Sequence, residues 1–461
     1  MAIQTDLAAA PRVPRRLVYG VNDRPPLIFT VVGGLQHVLT LFGATTLVPL
    51  IFGPQIGMDP LELGVFVASV YFVMGVATLL QLSVAGSGLP LVQGSSFSFI
   101  PPVATIIAAR KGAGVDATMA AVGGALMAGG AIETLIGYLG LAGAVRRLIT
   151  PVVIGPVIML IGFSLAPVAA DTASGNWWLA GFVVVGVLVF SLALGRRLQV
   201  VSVLLAVLAG YAVALVLSLA GVFAQGSPSY VDLAPVAQAP WWLWPQPFRY
   251  GLELNLTFFA SILAAFFAST IESIGDYHSI SYSAGLSDPP PRTISKGIGA
   301  EGLGCIFSGA FGGVGTTSYT ENIGLVNITG VASRWVVGAG AIILIVMSLL
   351  RKLGTLVATI PSPVIGGAYV ALFGIIGALG IQILARADLR SQRNLTIVGL
   401  AFLLGLGVPP WVQQHPLVFS PGWLSDILNA VLRTGMAVGG VVALVLDNLL
   451  PATPEERGIR Y

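Results

Sequence analysis

The chain has 461 residues, 56% of them hydrophobic and 9% charged, with 22 Lys and Arg against 19 Asp and Glu. A soluble domain carries about 25% charged residues, so the composition excludes a water-soluble globule and reads as an all-α polytopic membrane protein. A lone cysteine, Cys305, and three scattered histidines, His37, His278 and His415, give no basis for an intrachain disulfide or a metal centre. No nucleic-acid partner is expected, although the net charge of +3 itself says nothing on that point, because the distribution of basic residues matters more than their sum.

The opening stretch, MAIQTDLAAAPRVPRRLVYGVNDRPPLIF, is basic and polar with no apolar core before Leu27. It is not the pattern of a cleaved signal, so the first apolar segment is expected to stay as a span. That segment carries Gln36 and His37, which either pack through hydrogen bonds or touch a ligand. Residues 63–109, 198–231, 353–385 and 394–425 hold no charged side chain. A spanning helix needs roughly 20 apolar residues, and the whole chain accommodates 12 to 14 spans.

Within the first uncharged run, GSSFSFIPP (Gly94 to Pro102) joins residues that favour broken backbone to a Pro pair suited to a helix's opening turn. Glu133 follows in another apolar run, with no role assigned to it. Near the midpoint, residues 224–255 are rich in Pro and Trp, and Trp241, Trp242 and Trp244, like Trp177 and Trp178, suit the membrane–water interface.

Two acidic stretches follow. In FFASTIESIGDYHSI, Glu272 ends an uncharged run of 18 residues and Asp276 lies one turn later on the same face. Glu272 is expected to sit deep and Asp276 to mark the cytoplasmic mouth. In GTTSYTENIGLVNITG (Gly315 to Gly330), the Gly, Thr and Ser residues predict extended or broken backbone, with a helix starting near Glu321 or Asn322. The unpaired N–H groups and positive dipole end of that helix make a polar niche at mid-membrane depth. GSSFSFIPP does the same in the first half, and two half-helices aimed at each other leave a slot. A carboxylate inside a bilayer costs roughly 3 kcal/mol on insertion scales. Glu272 and Glu321 therefore mark a ligand or ion site, unless they merely satisfy helix ends or hydroxyls.

Basic residues give the topology. With fourteen crossings and the N-terminus inside, 16 of the 22 fall on the cytoplasmic side, among them Arg146, Arg147, Arg196, Arg197, Arg386 and Arg393. Arg110, Lys111, Arg249, Arg351, Lys352 and Arg433 fall outside, as the positive-inside rule requires. Both termini are then cytoplasmic. The halves also echo each other: ITPVVIGPVIMLIGFSLA from Ile149 resembles IPSPVIGGAYVALFGIIGALG from Ile360, and QGSSFSFIPP has a looser echo in GTTSYTENIG. Seven spans per half would invert the second copy, and interrupted helices in matching positions point to a transporter's binding site.

Together, GLQHVLTLFGATTLVP, GSSFSFI, ESIGDY and ENIGLVNITG resemble the nucleobase–ascorbate transporter family over almost the whole chain. The family signature, in which Gln, Glu or Pro is followed by Asn, any residue, Gly, four residues, Thr and then Arg, Lys or Gly, is met at Glu321, Asn322, Gly324, Thr329 and Gly330.

The resemblance implies fourteen spans in two inverted seven-span repeats, with core and gate domains and a short strand and half-helix in spans 3 and 10. It divides the chain into a cytoplasmic tail (1–26), core spans 1–4 (27–145), gate spans 5–7 (146–223), an extracellular linker (224–254), core spans 8–11 (255–353), gate spans 12–14 (354–450) and a second cytoplasmic tail (451–461). Carried over by motif, Phe97 stacks on a nucleobase, while Glu272, Thr320 and Glu321 bind its polar edge. Gln36, His37, Ser95, Ser96, Tyr319 and Asn322 form a supporting polar network, and Phe373 is a gating aromatic. Glu at position 321 resembles the uracil branch, whereas Asp276 resembles the purine and ascorbate branches. The implied function is uracil import across the cytoplasmic membrane by proton symport, with xanthine or uric acid as the alternative and anion exchange a more distant one. Glu272, with or without Asp276, carries the proton. No cofactor and no enzymatic activity are implied, and family members form homodimers through the gate.

Overall fold

The computed structural model describes residues 17–142, 148–193, 195, 199–420 and 422–458. Arg12, Arg15, Arg16, Arg146, Arg147, Arg196, Arg197 and Arg460, which entered the charge count, lie outside the described residues. The first half runs α1 (Leu27–Ile56), α2 (Pro60–Leu82), β1 (Gln93–Ser95), a 3-10 turn (Phe97–Phe99), α3 (Ile100–Ala109), α4 (Val115–Tyr138), α5 (Pro151–Ser164), α6 (Ala166–Ala173), α7 (Trp177–Leu192) and α8 (Ser202–Leu219). After a short α9 (Ala234–Gln238) come α10 (Leu256–Ser283), α11 (Pro291–Phe311), β2 (Thr316–Ser318), α12 (Thr320–Thr329), α13 (Arg334–Leu349), α14 (Arg351–Ala358), α15 (Ser362–Leu384), α16 (Gln392–Gln414), α17 (Gly422–Leu432) and α18 (Gly435–Leu449).

Among the described residues, eight helices are long and apolar enough to cross a membrane, or nine if the pair bent by 90° at residues 433–434 is one span. The fourteen that the resemblance implies exceed this in part because α3 and α12 have 10 residues each and α7 and α13 have 16. Ten residues rise about 15 Å, half of a bilayer core of about 30 Å. Helix starts follow local chemistry: Asp59 accepts the N–H groups of Leu61 and Glu62 ahead of α2, and Asn255 accepts those of Thr257 and Phe258 ahead of α10.

The order helix, helix, strand, half-helix, helix occurs twice, as α1–α4 with β1 and as α10–α13 with β2. The two strands pair antiparallel, Gln93 with Ser318, Gly94 with Thr317 and Ser95 with Thr316, which is the pairing that inverted copies produce. Extended backbone at this depth is tolerated because it is enclosed by protein, and all six strand residues are buried.

Small residues let the long helices approach closely, as in membrane bundles generally. α4 packs on α11 through glycines: a Cβ on Gly302 would lie 2.6 Å from the carbonyl of Gly130. The two echoed motifs also meet, since a Cβ on Gly162 of α5 would lie 2.7 Å from the nitrogen of Gly377 of α15. One set of helices packs around α2, α4, α11 and α13, and another around α5, α15, α16 and α18. Trp241, Trp242 and Trp244 are exposed on the linker, where Arg110 also pairs with Glu253.

Candidate functional site

Both half-helices begin at one place. After β1 the chain turns through Ser96, whose Oγ accepts the N–H of Ser98 at 3.3 Å. After β2 it turns directly into α12, whose first residues are Thr320 and Glu321. Ser96 N–H donates to Gly315 O at 2.9 Å and Tyr319 N–H to Val92 O at 3.1 Å, which locks the two turns side by side. Between them and α10 lies a cavity of about 360 Å³.

One wall of that cavity is polar, formed by Ser95, Ser96, Thr320 and Glu321 with Glu272 and Asp276 from α10. The facing wall is apolar, from Ile154, Ile158 and Ile161 of α5 and Ile376 and Leu379 of α15. At one end the ring of Phe97 meets Phe373, and Phe373 stacks on Tyr369 with centroids 5.2 Å apart. Tyr369 is held in turn, its hydroxyl donating to Leu47 O at 2.6 Å. At the other end the cavity runs past Ser279 and Gln382 to Arg386, which the charge pattern assigns to the cytoplasmic side.

The acidic residues divide by what they already bind. Asp276 does not stand at a mouth as expected: it is 5% exposed, and its carboxylate accepts the hydroxyls of Ser318 and Thr320, each at 2.9 Å. The reason is helical phase, because β2 crosses α10 just where Asp276 faces it. Glu272, one turn earlier, is half-buried and faces the cavity, and Glu321 is exposed to it. Phe97, Glu272, Thr320 and Glu321 thus share one wall-to-wall space, together with Ser95, Ser96 and the buried Tyr319.

Gln36, His37 and Asn322 lie elsewhere. His37 and Asn322 are buried, and Asn322 Nδ2 lies 3.0 Å from both Nδ1 and the carbonyl oxygen of His37. This ties α12 to α1 through His37. Gln36 is exposed, and with His37, Thr329 and Val336 it lines a separate cavity.

Sequence reasoning missed Glu301. This carboxylate, 1% exposed on α11, accepts from Ser273 Oγ at 2.6 Å, Tyr277 Oη at 2.8 Å and Gln93 Nε2 at 3.3 Å. Ser273 Oγ lies 3.0 Å from Ser318 Oγ, so polar contacts run unbroken from Thr320 through Asp276, Ser318 and Ser273 to Glu301. The signal was a single carboxylate in GIGAEGLGCIF, a run whose glycines disguise a buried helix. Glu133 is buried as well and accepts from Thr270 Oγ1 at 3.1 Å. Among the described residues no cluster of three or more His, Cys, Asp or Glu could hold a metal.

A family model described as "Permease family" matches residues 29–414. The chain is 34% identical over 495 residues to solute carrier family 23 member 2 of Homo sapiens, covering 96% of this chain and 76% of that one. It is 32% identical over 469 residues to the xanthine permease XanP of Escherichia coli K12, covering 96% of each. Among solved structures, the transmembrane domain of a cyanobacterium bicarbonate transporter, BicA, matches 90% of this chain and 100% of its own at a TM-score of 0.54 and 17% identity. The inward-facing murine Slc26a9 anion transporter matches 93% of this chain and 69% of its own at 0.54 and 12%. These two share the fold.

Proposed function

We propose, from the premise that the chain belongs to the nucleobase–ascorbate permease family, that it imports a nucleobase, uracil, by proton symport across the cytoplasmic membrane. One observation carries the reading: Phe97, Glu272, Thr320 and Glu321 line a single cavity where two half-helices meet. A pyrimidine-2,4-dione presents N–H donors beside carbonyl acceptors. Glu272 and Glu321 accept from the N–H groups, the first N–H groups of α12 donate to a carbonyl, and Phe97 stacks on the ring. The apolar wall of α5 and α15 covers the rest of the ring.

The helices around α2, α4, α11 and α13 act as core, and those around α5, α15, α16 and α18 as gate. Glu272 loads a proton from outside, and proton and base together favour an elevator-like movement of core against gate. Asp276 holds Thr320 and Ser318 in place for it. Both termini are cytoplasmic, and two copies pair through their gates.

Xanthine or uric acid is the second reading, favoured by Asp276 and by the similarity to XanP. Anion exchange fits less well: the fold neighbours' titles name bicarbonate and anion transporters, but Glu272 and Glu321 would repel an anion from the slot. Uptake of labelled uracil in a strain lacking its own carrier is the test. Uracil is expected to accumulate and to outcompete unlabelled xanthine and uric acid, with uptake lost to a protonophore. Displacement by xanthine at lower concentration than uracil would transfer the assignment to the second reading.

A further inference from the structure

The seam between the two helix sets holds a second cavity. Along the first half-helix, Ser95 to Ser98 face the first cavity, whereas Ile100, Pro101, Ala104 and Ala108 face the second. Along α5, Ile154, Ile158 and Ile161 face the first, and Phe163 and Ser164 the second. The two spaces therefore follow one another along both elements, with Phe97, in contact with Phe373, on the first cavity's side of the division. The second is larger, about 730 Å³.

Its walls are mostly apolar, and one residue breaks the pattern. Arg433 lines this cavity and an adjoining one that contains Asp426. Its Nε is buried without a hydrogen-bond partner, and among the described residues it belongs to no ion pair, with Asp426 or any other carboxylate. Arg433 sits at the break between α17 and α18, which turn by 90° there, so backbone geometry aims it into the seam. Arg433 is half-buried, and a buried guanidinium N–H left without an acceptor is costly unless something else completes it. It offers five donors in a planar fork and accepts none.

We infer that the second cavity is an entry subsite, in which Arg433 receives the carbonyl oxygen of a planar lactam heterocycle before the Phe97–Phe373 contact parts. The first cavity then takes the base over, with its ring on Phe97. This inference rests on the nucleobase-permease reading and adds a direction to it. Arg433 serves binding from its own face, and a base entering from the opposite face meets Arg386 and the first cavity first, reaching Arg433 only on release.

Right-side-out and inside-out membrane vesicles separate the two faces. With Arg433→Gln, KM for uptake from the Arg433 face is expected to rise about tenfold, as befits one lost charge-assisted hydrogen bond. KM from the opposite face, and stabilisation of the solubilised protein by uracil, should stay within about twofold of the wild type, a range below one unit of tenfold discrimination. Arg433→Lys keeps the charge but not the fork, so it should raise KM on that face alone and by less; it carries the test if the Gln variant does not fold. Equal changes from both faces, or none from either, would overturn the inference while leaving the permease reading intact. A wild type that moves no lactam base from either face removes both.

Discussion

The ring of Phe97 meets that of Phe373 edge-on, centroids 5.8 Å apart and planes at 81°. One ring belongs to the strand-led turn of the first half-helix, the other to α15 of the opposite set. Each is immobilised from behind, Phe97 by the Ser96 turn and Phe373 by its stack on Tyr369. This contact joins the two helix sets, and in the proposed reading the two rings have separate tasks. Base–aromatic stacking is worth roughly 1–3 kcal/mol by alanine substitution, so Phe97→Ala should abolish thermal stabilisation by uracil. Phe373→Ala should retain that stabilisation and alter the transport rate. The reverse pattern in thermal-shift and uptake assays would exchange their roles.

Glu301 is predicted to be a keystone of stability. Glu301→Ala leaves the buried donors of Gln93 and Tyr277 without an acceptor, at roughly 1–3 kcal/mol each, and leaves Ser273 only Thr317 Oγ1 to turn to. That is a substantial part of a fold margin of about 5–15 kcal/mol, and the solubilised variant should melt well below the wild type. Glu301→Gln preserves volume and an acceptor oxygen and should recover most of the loss. Equal melting temperatures for wild type and Glu301→Ala would contradict the arrangement.

The two carboxylates of α10 should behave differently under a pH gradient. In the symport reading, acidifying the side from which uptake starts accelerates the wild type. Glu272→Gln removes the exchangeable proton, so uptake becomes flat in pH while exchange of labelled for unlabelled base persists. Asp276→Asn instead weakens the acceptors of Ser318 and Thr320 and should raise KM at every pH. If Asp276→Asn is the variant with flat pH dependence and a normal KM, Asp276 carries the proton.

Glycines at helix crossings should be intolerant where backbone sits opposite. A side chain on Gly302 would collide with the Gly130 carbonyl at 2.6 Å, whereas a Cβ on Gly399 meets nothing within 4 Å. Gly302→Val is expected to prevent accumulation of folded protein, and Gly399→Ala to leave it unchanged, as judged by monodispersity on gel filtration. Folded Gly302→Val in normal yield would show that α4 and α11 can separate.

The sequence by itself determined what depends on each segment's own exchange between water, lipid and neighbouring backbone. Long uncharged runs establish a membrane protein, and Gly, Ser and Thr before Glu321 mark where a helix has to break. The GSSFSFIPP and ENIGLVNITG stretches are local signals of that kind, and both half-helices stand where they were read. Only the tertiary structure decided what depends on phase and on long-range contact. Glu272 and Asp276 lie one turn apart on one face and look alike in sequence, but β2 crosses at Asp276 and consumes it while Glu272 stays free. Gln36 and His37 are neighbours, yet the turn of α1 sends one to the surface and the other to Asn322, 285 residues away. Glu301 draws a donor from Gln93, 208 residues distant, and no pattern along the chain encodes that meeting. Insertion is decided segment by segment, whereas a buried carboxylate is defined by whichever helices close around it.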